Sequence, residues 1–190
     1  MTRIIAGAAG GRRLRTPPGQ GTRPTSDRVR EALFARLEHL DVLHEAEVLD
    51  LYAGSGALGL EAASRGASSV LFVEADRRAA RIVQQNATDL GFSQTQIRVA
   101  AVEKALSIPP ADPYIDLVFA DPPYAIGEHE LAAVLEAVSA WLVSDALLVI
   151  ERGARSPEPT WPTDTSLIGP RRYGETVVWF AEYIPEGSVA

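Results

Sequence analysis

Residues 48 to 59 read Val-Leu-Asp-Leu-Tyr-Ala-Gly-Ser-Gly-Ala-Leu-Gly, an apolar strand that runs into a glycine turn and then a helix. Few folds accept such a run. Glycines permit a tight turn and close backbone approach, and the first turn of a helix offers N–H groups to an anionic part of a ligand. Gly54, Gly56 and Gly59 match G-x-G-x-x-G, and Glu74 follows Gly54 by 20 residues, at the end of the next apolar run. A carboxylate at that spacing accepts hydrogen bonds from a ribose diol. The motif fits an adenosine ligand at the carboxyl ends of parallel strands, with a dinucleotide and S-adenosylmethionine both open at this point.

The rest of the chain agrees with a crossover-connected sheet. Strand patterns occur at 47–52, 69–74, 97–101, 115–120 and 146–151, with helical patterns at 58–65, 77–90, 103–106 and 128–143 between them. Alternation of this kind predicts an α/β fold with a mostly parallel sheet. The tail departs from it. After a proline-rich loop at 156–162, residues 167–172 and 176–183 flank Tyr173-Gly174 and predict an antiparallel hairpin, for seven strands in all. Ahead of the alternation, residues 3–16 predict a small β-hairpin, 17–21 a loop, and Thr25 or Ser26 the cap of a helix with Val29, Leu33, Phe34, Leu37 and Leu40 on one face.

Charge divides the chain at the same place. The net charge is −7, yet residues 1–36 carry eight arginines against Asp27 and Glu31, so that segment holds +6 and the remainder −13. A basic segment in front of an acidic body suits a nucleic-acid partner better than the total suggests. The 190 residues fit one main domain, and we expect a basic extension at 1–41 followed by a domain at 42–190. Absence of cysteine excludes disulfides, thiolate metal sites and thiol nucleophiles, and suits a reducing cytoplasm. His39, His44 and His129 lack ligand spacing, so no metal is expected. Glu136, Ser139, Ser144 and Asp145 interrupt the longest apolar stretch, so no membrane span is expected either.

A second motif carries the chemistry. The run at 115–120 delivers Asp121-Pro122-Pro123-Tyr124 at its carboxyl end. Consecutive prolines fix the backbone, so the Asp121 carboxylate and the Pro122 carbonyl can converge as two acceptors beside the flat face of Tyr124. Such a cradle fits a planar exocyclic amine.

Together the glycine loop, Glu74 and Asp121-Pro122-Pro123-Tyr124 resemble the class I S-adenosylmethionine-dependent methyltransferases with a Rossmann-like fold, in the subgroup that modifies exocyclic amines of bases. Arg3-Ile4-Ile5-Ala6-Gly7, Gly11-Arg12-Arg13-Leu14 and Arg23-Pro24-Thr25-Ser26-Asp27-Arg28-Val29-Arg30-Glu31 narrow this. Over essentially its whole length the chain resembles the bacterial 16S ribosomal RNA guanine-N(2) methyltransferases, the RsmD-like group. The resemblance implies S-adenosylmethionine as cofactor, with Asp50, Gly54, Ser55 and Gly56 at its methionine end and Glu74 at the ribose. It places Ala75, Ala101 and Val102 around the adenine, where many relatives have an acid and this chain has Ala101-Val102-Glu103. It makes Asp121, Pro122, Pro123 and Tyr124 the target-base site, with Asp121 also beside the cofactor. Arg3, Arg12, Arg13, Arg15, Arg23 and Arg28 become RNA contacts, and the partner becomes 16S RNA, free or within a 30S subunit, bound by a monomer. Competing readings are a DNA adenine-N(6) methyltransferase, a protein glutamine methyltransferase, an NAD-dependent oxidoreductase and a non-catalytic RNA-binding assembly factor.

Overall fold

The computed structural model describes residues 2–17, 27–123 and 125–185. Helix α1 spans Asp27–His39, and from there strands and helices alternate: β1 Glu47–Leu51, α2 Ala57–Ser64, β2 Ser69–Glu74, α3 Arg77–Leu90, β3 Thr95–Val99, α4 Val102–Leu106, β4 Ile115–Ala120, α5 Glu128–Ser139 and β5 Leu142–Gly153. A hairpin of β6 Thr165–Tyr173 and β7 Thr176–Tyr183 closes the described chain. The sheet has seven strands in the order β3-β2-β1-β4-β5-β7-β6. Strands β1 to β5 run parallel, and β7 adds antiparallel to β5 with β6 outside it. The chain winds outward from β1 to β3, then returns to place β4 on the other side of β1. That reversal opens a crevice at the carboxyl ends of β1 and β4, where α/β sheets bind ligands.

Strand alternation assigns each residue to a face. Val48, Phe72, Phe119, Val149 and Phe180 bury one face beneath the N-terminal segment, α1, α2 and α3. Leu51, Val118, Leu148 and Ile150 bury the other beneath α4 and α5. Phe119 meets Phe34 of α1 at a ring-centroid distance of 5.6 Å. Burial of each such ring contributes about 1.5–3 kcal/mol.

Several elements differ from the sequence expectation. Helix α5 stops at Ser139, because the Trp141 carbonyl accepts from Tyr114 N and Ile115 N of β4 at 3.1 and 2.9 Å. Residues 142–143, expected to be helical, therefore begin β5. That strand is bulged: the register jumps between Ile115↔Leu142 and Leu117↔Leu147, and Asp145 takes a left-handed φ of 66°. Strand β3 begins at Thr95, ahead of the expected 97. The N-terminal hairpin is reduced to one antiparallel bridge, Arg3↔Arg13, around a 3-10 turn at Gly7–Ala9.

This N-terminal segment is sewn onto the sheet's helical layer. Glu61 of α2 is fully buried and accepts from Ile5 N at 2.6 Å and Ala6 N at 3.0 Å. Ser64 accepts from Ala9 N and donates to the Ala6 carbonyl. Asn86 of α3 accepts from Arg15 N and donates to the Arg15 carbonyl. Among the described residues no helix is long and apolar enough to cross a membrane.

Candidate functional site

The glycine turn lies between β1 and α2 at the crevice. Gly56 is the N-cap of α2 with φ 79°, a left-handed backbone that L side chains rarely adopt. A Cβ on Gly59 would stand 2.4 Å from Cε1 of Phe72, so glycine is what lets α2 lie against β2. The loop is held from three sides. Asp50 of β1 accepts from Gly59 N at 2.9 Å, Glu74 accepts from Gly54 N at 2.8 Å, and Asn86 Nδ2 donates to the Ser55 carbonyl at 3.0 Å. Glu74 also accepts from Asp76 N, which fixes its carboxylate at the end of β2.

The strand register brings the acids together. Asp50 lies level with Phe72 and Phe119, and Phe119 with Val149. Glu74, Asp121 and Glu151 each follow by two residues in their own strands, so all four carboxylates belong to one sheet face near its carboxyl edge. Asp50 is only 2% exposed, and burial pushes its carboxyl up to about 8, opposed by the Gly59 hydrogen bond and aided by repulsion from Glu74. Asp121 is raised well above the ordinary carboxylate range, by desolvation first and then by repulsion from Glu151 and Asp50. The residue nonetheless keeps exposed surface. Burial likewise raises the Tyr52 hydroxyl, with Glu103 and Glu130 adding to the effect.

Asp50 gives a testable pH dependence of the free protein. Its folded value of about 8 exceeds the ordinary 3.8, so the folded chain holds the proton more tightly than the unfolded one. This group's contribution is neutral below pH 4 and grows steadily unfavourable up to pH 8, with a slope of about 1.4 kcal/mol per pH unit. Asp50→Asn keeps an acceptor for Gly59 N and should remove that slope from urea midpoints measured across the same range.

Ala75, Ala101 and Val102 sit around one corner of the crevice. Ala100 N donates to the Glu74 carbonyl, which draws the start of α4 to the end of β2. Val102 is buried as the first residue of α4, while Ala101 and Glu103 are exposed. Beyond β4, Asp121 and Pro122 line a small cleft with Glu151, Arg152, Ser156 and Thr176. Pro123 accepts from Ile126 N and thereby shapes the turn into α5. Tyr124 and Arg23 lie outside the described residues.

The basic residues are less uniform than their sequence suggests. Arg3 pairs with Asp27 at 3.1 Å, Arg15 with Asp89 at 3.1 Å, and Arg12 donates to the Asp89 carbonyl. Arg30 is 1% exposed and donates to Asp27 and the Arg3 carbonyl. Arg36 lies over the Phe180 ring at 4.9 Å. Arg13 and Arg28 are exposed. Glu151 and Arg152 were not among the residues singled out from the sequence. The usable signal was there, since an acid closes a strand pattern at 151, but only the pairing of Ala120 with Ile150 sets it beside Asp121.

Comparison with known proteins bears on the same arrangement. The chain matches the family described as "Conserved hypothetical protein 95" over residues 2–182. It is 40% identical over 157 residues to the Ribosomal RNA small subunit methyltransferase D of Haemophilus influenzae, covering 82% of this chain and 80% of that protein. It is 38% identical over 165 residues to the protein of that name in Escherichia coli K12, covering 87% and 81%. A solved structure titled as the putative methyltransferase yhhF from Escherichia coli superposes with a TM-score of 0.85 at 32% identity, covering 96% of this chain and 98% of that one.

Proposed function

The chain belongs to the conserved hypothetical protein 95 family, and we propose that it is an S-adenosylmethionine-dependent methyltransferase acting on the exocyclic N(2) amine of a guanine in 16S ribosomal RNA. The observation that carries this reading is Asp121-Pro122 at the carboxyl end of β4, across the strand-order reversal from the glycine loop of β1. A nucleotide-binding loop and an amine-accepting cradle share one crevice. Methyltransferase names among its 38–40% identical relatives support the chemistry and the RNA substrate. An NAD-dependent oxidoreductase leaves the cradle without a task.

The residues present fit the cofactor. Asp50 is a carboxylate raised by burial first and then by repulsion from Glu74, and the ammonium and sulfonium groups of the cofactor are cations that suit such a group. Gly54, Ser55 and Gly56 line the methionine end with Asp50. Glu74 takes the ribose diol, and Ala75, Ala101 and the Val102 N–H flank the adenine. When bound, S-adenosylmethionine supplies an electrophilic methyl group on sulfur. Asp121 and the Pro122 carbonyl accept the two hydrogens of the target amine. That favours a tetrahedral nitrogen with its lone pair free, and positioning of this kind is worth up to roughly 7–11 kcal/mol. The raised Asp121 carboxylate then takes the proton that the nitrogen loses. Tyr124 stacks on a base drawn out of its helix, which costs a few kcal/mol and less in an exposed loop.

We read residues 1–41 as an RNA-facing extension of a methyltransferase domain at 42–190, working as a cytoplasmic monomer on 16S RNA alone or in a 30S subunit. We assign Arg3, Arg12, Arg15 and Arg23 to RNA contact, together with Arg13 and Arg28, which are exposed. Replacing Arg13 and Arg28 by alanine should flatten the plot of log K against log salt by about 0.7 per lost phosphate contact. An unchanged slope in filter binding would remove them from the interface. The test of the function itself is transfer of labelled methyl to naked 16S RNA, assembled 30S subunits and DNA, followed by nucleoside analysis. Label in N(2)-methylguanosine supports the reading, and label in N(6)-methyladenine or none at all rejects it.

A further inference from the structure

The cleft beside Asp121 holds a second carboxylate that the reaction above does not use. Ala120 of β4 pairs with Ile150 of β5, so Asp121 and Glu151 are the next residues of two adjacent parallel strands and leave the sheet on the same face. Both line the cleft. Glu151 is held in place because its own backbone lies within β5, paired on the other side with Val178 of β7. The cleft is more than a group of acids. Arg152 also lines it, 93% buried, with its Nε lacking an acceptor among the described residues although the same side chain is ion-paired to Glu128. Its wall thus carries two carboxylates and, in Arg152, one unmet donor.

The purine edges that could enter differ in their hydrogen-bonding order. Guanine presents its N2 amine and N1–H side by side, two adjacent donors, whereas adenine presents its amine next to an acceptor nitrogen. A single carboxylate at Asp121 would hold either amine. A second carboxylate one strand away matches only guanine, because against adenine it would face a lone pair.

We propose that Glu151 is the specificity-determining residue of this site, accepting the N1–H of guanine while Asp121 holds its N2 amine. The inference rests on the reading of the crevice as an amine-methylating base site and adds the group that chooses the base. Glu151 is partly buried, and an acceptor that a bound base shields from water is costly to leave facing a lone pair, which is how a site rejects an analogue that lacks one hydrogen.

The probe is 2-aminopurine, which keeps the C2 amine but has an unprotonated N1. It is placed by ligation at the position in 16S RNA that the enzyme methylates. Wild-type protein should show kcat/KM for the 2-aminopurine RNA lower than for the guanine RNA by roughly tenfold or more. Glu151→Gln, whose amide both donates and accepts, should lower transfer to guanine and narrow that preference to within about threefold. The binding constant for S-adenosylmethionine should not move. A structural role alone would reduce both substrates equally and leave the ratio intact, which would overturn the proposal. Should the variant fail to fold, the wild-type ratio still decides: equal use of guanine and 2-aminopurine overturns it. Absence of methyl transfer to guanine RNA by the wild type defeats the underlying function instead, and the two failures are thereby distinct.

Discussion

Asp121→Ala should abolish methyl transfer while leaving S-adenosylmethionine binding nearly intact. Asp121 stands at the end of β4, on the far side of the strand-order reversal from the glycine loop, and none of the hydrogen bonds that hold that loop involves it. On the proposed mechanism, its loss removes both the acceptor that orients the amine and the group that takes the departing proton. Removal of one preorganised polar group from a reacting centre costs about 10²–10³ in kcat, and a residue with two tasks should lie at the upper end. Single-turnover rates and calorimetry separate the effects. Equal loss of rate and cofactor affinity would mean that Asp121 holds the cofactor or the fold. The acid limb of the wild-type rate profile carries the same information: transfer is lost as pH falls through a value well above the ordinary carboxylate range, because desolvation first, and then repulsion from Glu151 and Asp50, raise the base.

The second large effect concerns stability. In Glu61→Ala the amides of Ile5 and Ala6 lose their acceptor and Arg65 loses its 2.7 Å partner inside the helical layer, keeping Glu38 at 2.7 Å. Breaking a buried ion pair from one side costs about 3–5 kcal/mol. Against a total of about 5–15 kcal/mol for a folded domain, that is a large fraction. Urea unfolding should show the loss, and hydrogen exchange at the Ile5 and Ala6 amides should accelerate even where the protein remains folded. Protection that persists at those amides would show that the N-terminal segment is held by its apolar anchors, Ile4 and Leu14, without Glu61. Glu61→Gln keeps an acceptor for the amides and should lie between the two.

Local pattern carried much of the fold. Strands β2 and β4, helix α3 and strand β7 fall where periodicity and flanking glycines set them, because each is decided by neighbours in sequence. What sequence could not carry was spatial partnership. Residues 140–143 read as helix by composition, yet the Trp141 carbonyl is taken by β4. Arg30, one of the eight arginines of the basic segment, is buried against Asp27 and the Arg3 carbonyl, a partnership that no local pattern announces. Asp50, Glu74 and Asp121 were legible as site candidates because each lies at or beside the carboxyl end of a strand, next to a recognisable motif. Glu151 closes a strand pattern in the sequence as well, but its meaning depends on which strand is its neighbour.

The four carboxylates on one face also sort what can approach. A polyanion meets a field of its own sign at the crevice, so phosphates are turned away from the floor and an uncharged base edge is the part of an RNA that enters. At the glycine-loop end of that line, Glu74 and Asp50 favour a cofactor that carries a sulfonium over one that, having given up its methyl, has lost that charge. Repulsion of backbone and retention of base, attraction of donor and dismissal of spent donor, then arise from one line of acids at the edge of a sheet.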